Sequence, residues 1–148
     1  MNIIKNIALY ILNPGTYTKN ASGALLFLRI IIASFMLSHG YGKLMMLIGD
    51  APIRFLDPIG LGAGFSLALV VFAEFLCSIC LIFGFATRLA VIPLVITMLV
   101  ATIVVHGADG FGKQELPLLY ASIYVFLAVM GSGKFSVDQY LYKKIPTD

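Results

Sequence analysis

Residues 61–85 read LGAGFSLALVVFAEFLCSICLIFGF. A single charge, Glu74, interrupts the stretch. As a helix it would be about 37 Å long at 1.5 Å per residue, against a bilayer hydrocarbon core of about 30 Å. It reads as a membrane span. Upstream, residues 24–47 form a second apolar run, broken by Arg29, His39 and Lys43. Downstream, residues 89–105 are uncharged and residues 116–130 make a fourth, shorter run that needs its flanks or local thinning to span. Turn-forming stretches separate the four: Gly49 to Gly60, Gly84 to Thr87, Gly107 to Gln114, and Gly131-Ser132-Gly133. No polar/apolar alternation suggests the strands of a barrel. The chain predicts an all-α integral membrane four-helix transmembrane bundle.

Composition agrees. Apolar residues make up 60% of the 148, charged residues 11%, and the mean hydropathy is +0.99. A soluble fold of this length could not hide so much apolar surface. The basic residues are scattered and the net charge is only +3, which excludes a nucleic-acid footprint. Residues 1–21 are set apart. Ile3, Ile4, Ile7, Ala8 and Ile11 recur at helical spacing around Lys5 and Asn6, which predicts a short amphipathic helix on the membrane surface. Asn13-Pro14-Gly15 comes next as a turn, and the expected segment is not a cleaved signal peptide. Residues 22–134 hold the four spans, and residues 135–148 form a C-terminal tail.

Four spans return the chain to the side it started from, face A; the opposite side is face B. Lys5, Lys19, Arg29, Arg88, Lys134, Lys143 and Lys144 lie toward face A. Face B has Lys43, Arg54 and Lys113, diluted by Asp50, Asp57, Asp109 and Glu115. This bias predicts a multi-pass protein of a bacterial inner membrane with both termini cytoplasmic.

Ionisable groups at membrane depth are costly and face the bundle interior with partners. Arg29, Met36 and Lys43 fall within about 40° of one another on a helical wheel, with His39 about 40° further round. Arg88 and His106, five turns apart, share a face unless Pro93 kinks their helix. Glu115 opens the fourth span, with Pro117 in its first turn. The candidate ligand-binding set is therefore Arg29, His39, Lys43, Glu74, His106 and Glu115. Arg29 and Glu74 come to similar depth and are expected to pair. Such a pair fixes helix register or lines a pathway, and the residues leave both open. No third soft ligand joins His39 and His106, so no metal site is predicted. Cys77 and Cys80 lie mid-span, where a thiolate is disfavoured, and read as packing residues more than as a redox pair.

Five stretches carry a resemblance. They are Leu28-Arg29-Ile30 with His39-Gly40-Tyr41-Gly42-Lys43-Leu44; Glu74; Gly84-Phe85-Ala86-Thr87-Arg88-Leu89-Ala90; His106 followed by Glu115-Leu116-Pro117; and Gly131-Ser132-Gly133-Lys134-Phe135-Ser136-Val137-Asp138. In this order, over about residues 24–140, the chain resembles the DoxX family of small four-helix bacterial membrane proteins. Two departures stand out: Ser132 occupies a position that is commonly Pro, and Cys77 one that is commonly a small residue.

The resemblance implies a quinone- or redox-linked subunit of a membrane oxidoreductase complex. The chain has no haem-attachment, iron–sulfur or flavin motif of its own. A bound quinone, or a redox partner protein, would then carry the electrons. The polar stripe would hold the quinone headgroup through Arg29, His39 or His106, with Glu74 or Glu115 relaying protons. Two other readings stand beside it. One is a non-catalytic membrane scaffold or assembly factor. The other is a small-molecule transporter, which would need homo-oligomers to enclose a useful cavity. Membrane lipids are the one partner common to all three.

Overall fold

The computed structural model of the chain describes residues 3–145. They form helices and connecting turns: α1 (Ile3–Ile11), α2 (Lys19–Ile48), α3 (Ala63–Phe83), α4 (Thr87–Val105), α5 (Phe111–Met130) and α6 (Val137–Tyr142). Three of these, α2, α3 and α4, are long and apolar enough to cross a membrane. The fourth long helix, α5, has 20 residues and packs along α4.

The interior is mainly apolar, and the outer surface is apolar too, where a water-soluble bundle would be polar. Phe27, Phe65, Ile92, Ile103 and Leu119 point outward, where lipid is their solvent. Arg29, Glu74, Ser78, Thr87 and Asp138 are buried inside. The interior stripe of α2 runs Ser22, Leu25, Arg29, Ile32, Met36, Gly40, at the spacing expected of one helix face. At Gly40 the backbones of α2 and α3 pack closely. A methyl group there would lie 2.7 Å from the backbone of Glu74 and Phe75.

Two helices begin earlier than the apolar runs suggest. The Thr18 hydroxyl caps α2 by accepting from the Ala21 N–H at 3.2 Å, so the polar Lys19-Asn20 pair is already helical. Helix α5 starts at Phe111, after Gly110 turns the chain at φ +81°. Pro117 is thus in its second turn, not its first. Helix α4 runs on through Pro93.

Residues 13–17, 84–88 and 128–138 are tied together at face A. Asp138 accepts from the N–H groups of Ala86 (2.6 Å) and Thr87 (3.0 Å), and its own N–H donates to the Gly84 carbonyl at 2.9 Å. It serves as the cap of α4 from a distant part of the sequence, and holds Ala86 at its left-handed φ of +45°. Gly133 N–H donates to Pro14, and the Tyr17 hydroxyl donates to the Met130 carbonyl at 2.8 Å. Arg88 donates to the carbonyls of Asn13 and Ala128 and stacks over Tyr10, which fixes α1 against the bundle. Ser132 is fully buried with its hydroxyl 3.0 Å from that of Ser136.

Candidate functional site

The expected Arg29–Glu74 pair does not form. Arg29 is completely buried and donates to the carbonyls of Leu81 (3.4 Å) and Phe135 (2.6 Å), within the field of Asp138. Glu74 instead receives Lys43, whose ammonium reaches both carboxylate oxygens at 2.5 and 2.6 Å. The cause is side-chain direction. Helical side chains lean toward their own helix N-terminus. Arg29 on α2 therefore leans toward face A, and Glu74 on the antiparallel α3 leans toward face B. Lys43 starts nearer face B and leans inward to meet it.

This pair lies at the inner end of a cavity of about 300 Å³. Helices α3 and α4 pack together from the Gly84 turn as far as Phe72–Cys77 and then part toward face B. The wedge between them is the cavity. Its walls are mainly apolar, with Leu69 and Val70 on α3 and Ile96 and Val100 on α4. Phe55, Leu56, Pro58 and Ile59 of the α2–α3 loop roof it. Asp57 pins that loop: its carboxylate accepts from the Leu61 and Gly62 N–H groups and from the Ser66 hydroxyl at 2.7–2.9 Å. These bonds, the one from Ser66 foremost, hold the Asp57 carboxyl below its usual pKa.

Both walls contain a wide π turn, Phe72–Cys77 in α3 and Ala101–Val105 in α4. Such turns recur at functional sites. Each adds a residue, which rotates the downstream part of the helix by about 100°. The one in α4 breaks the register that would have placed His106 on the Arg88 face. His106 instead lines the cavity beside the ion pair. Its Nδ1 is 2.8 Å from Asp109 Oδ2, and the Gln114 side chain donates to the His106 and Gly107 carbonyls. Asp109 also takes Lys113 at 3.4 Å. The hydrogen bond from His106, followed by the Lys113 charge, lowers the Asp109 pKa.

Of the six candidate residues, the cavity gathers Lys43, Glu74 and His106. Arg29 belongs to the face A knot. His39 and Glu115 are exposed and do not line the cavity. Asp57 and Asp109 were missed as site residues. Asp57 signals itself only through the glycines after it, and Asp109 only through its three-residue spacing from His106. Cys77 is buried in the core and Cys80 packs against it, both as free thiols. No group of three or more His, Cys, Asp or Glu side chains converges in a metal-binding arrangement among the described residues.

The inner membrane protein YqjF of Escherichia coli is 28% identical over 120 residues, 78% of this chain and 90% of that one. An uncharacterized protein of Haemophilus influenzae is 30% identical over 128 residues, 81% and 92% of the two chains. Bacillus subtilis CatD, provisionally named an oxidoreductase, is 29% identical over 119 residues, 80% and 87% of the two. No solved structure gives a significant match. The DoxX family profile matches residues 24–107, which run from the first turns of α2 through both walls of the cavity. An all-helical membrane bundle with this match over more than half of its length belongs to the DoxX family.

Proposed function

We propose that this chain binds a quinone-like amphipathic molecule in the Lys43–Glu74 cavity and serves as a subunit of a membrane oxidoreductase complex. The observation that carries the reading is the ion pair itself. Two charges stand at the inner end of an otherwise apolar cavity, with only 4% of the Glu74 side chain exposed and 29% of that of Lys43. A volume of about 300 Å³ is at the lower end for small-molecule sites, enough for one substituted ring. Apolar walls suit the ring face, and the lysine offers a hydrogen bond to a ring oxygen. The oxidoreductase name of CatD supports the same direction. Electrons enter or leave through a partner protein that carries the redox centre. The basic bias toward face A supports a multi-pass arrangement in the bacterial inner membrane with both termini cytoplasmic.

The test is gentle extraction followed by mass spectrometry of co-purifying lipids. The unmodified chain should retain a quinone, and Lys43→Met should lose it. Equal retention by both, or none by either, would overturn the reading. A scaffold role is favoured by one observation, the face A knot, which spends Arg29 and Asp138 entirely on holding chain segments together. In that case Lys43→Met would leave cellular function intact.

A further inference from the structure

We propose that His106, held in one tautomer by Asp109, makes the cavity selective for the hydroxyl-bearing, reduced form of a quinone-type ligand. This rests on the cavity's proposed quinone site and adds which form of the ligand the site prefers.

Asp109 is an ionised carboxylate, kept so by His106 and Lys113. An ionised carboxylate only accepts hydrogen bonds. At 2.8 Å from Asp109 Oδ2, His106 Nδ1 must therefore carry the hydrogen. In a neutral imidazole the other nitrogen, Nε2, is then a bare acceptor. It has no partner among the described residues. The second polar group, Lys43, has three N–H donors, and Glu74 takes two of them. One donor is left.

Of the polar groups that line the cavity, Lys43 keeps one free donor and His106 a free acceptor; Glu74 adds the lone pairs that Lys43 leaves open, the Ser66 hydroxyl already donates to Asp57, and Thr97 adds one hydroxyl. A quinone carries two carbonyl oxygens, both acceptors. One could meet Lys43, but the other would meet the His106 lone pair. A quinol satisfies both groups, because one hydroxyl donates to Nε2 while the oxygen of the other accepts from Lys43. The His106 side chain is 34% exposed, so a quinone forfeits one hydrogen bond there, which weakens binding by up to about tenfold. The charges surrounding His106 are Asp109 and Lys113 beside it and the Lys43–Glu74 pair in the same cavity. Asp109 is accordingly a positioning residue; it acts through the imidazole.

Two measurements on the full chain in lipid nanodiscs test this. Nitrogen NMR of labelled histidine reads the tautomer directly, and with two histidines in the chain His39→Gln assigns the spectrum. At pH 8 His106 should carry its hydrogen on Nδ1, and Asp109→Ala should release it to Nε2. Titration with a short-chain benzoquinone and with its quinol, kept under argon, reads selectivity. The quinol should bind tighter by up to about tenfold, and Asp109→Ala should bring the two affinities together while both still bind. An Nε2–H tautomer in the unmodified chain, or equal affinity for both forms, would overturn the selectivity and leave the cavity reading standing. Failure of both forms to bind would overturn the two together.

Discussion

Arg29 and Asp138 share a buried end of the bundle, yet they depend on each other unequally. A guanidinium does not shed its charge, and Arg29 Nε has no partner among the described residues. Asp138 keeps two backbone N–H donors whatever happens to Arg29. Asp138→Asn should therefore cost more than Arg29→Met. Stranding a buried charge typically costs about 3–5 kcal/mol. The order of thermal unfolding midpoints in detergent checks this, and a lower midpoint for Arg29→Met would contradict it. At the cavity the consequences are milder. Both groups border the cavity, so either one left alone can turn into the open space beside it. Lys43→Met and Glu74→Gln should each lower the midpoint less than Asp138→Asn while weakening ligand retention. The wheel correctly put Arg29, Met36 and Lys43 on one stripe, because that placement depends on spacing alone. It could not choose between Arg29 and Lys43 as the partner of Glu74, because that choice depends on which way side chains lean on antiparallel helices.

The helices themselves were legible, since long apolar runs bounded by glycine-rich turns leave few alternatives. The π turns were not. An inserted residue in Phe72–Cys77 or Ala101–Val105 leaves no mark on composition, and the one in Ala101–Val105 moves His106 off the face that a regular helix assigns. The α2–α3 contact depends on Gly40, whose added methyl would strike backbone and not a movable side chain. Gly40→Ala should destabilise the bundle by about 1–3 kcal/mol, the usual cost of overpacking. It should also lengthen the Lys43–Glu74 contact. Unchanged stability would show that α2 shifts freely. The loop over the cavity has its own sensitivity to acid. The Asp57 carboxyl has a depressed pKa in the folded chain. Its contribution is therefore present above the ordinary carboxylate pKa and is lost as pH falls through the lower, folded value. Asp57→Ala should remove it at every pH. Hydrogen exchange at Leu61 and Gly62 should speed up in the variant at neutral pH, and in the parent chain only under strong acid. Equal exchange in the two chains would mean that Asp57 does not hold the loop.

Across the whole molecule, face A is tied and face B is open. Residues 13–17, the Gly84 turn, residues 128–133 and α6 are bonded into one unit, whereas α3 and α4 spread apart toward the other side. Orientation can be read by labelling single cysteines in a Cys77→Ala, Cys80→Ala background. That background should fold, because both thiols serve packing. A reagent confined to the periplasm should reach Gly112→Cys and not Lys144→Cys; labelling of both would refute the arrangement. The spreading of α3 and α4 has a further result. Leu69 and Ile96, on the two edges of the wedge, are exposed, so the cavity opens sideways toward acyl chains. Its occupancy then tracks the ligand's mole fraction in the bilayer and not its concentration in water. Lengthening an isoprenoid tail would raise the apparent aqueous affinity through partitioning alone. Measured per lipid, affinities across a tail-length series should converge on one value set by the headgroup.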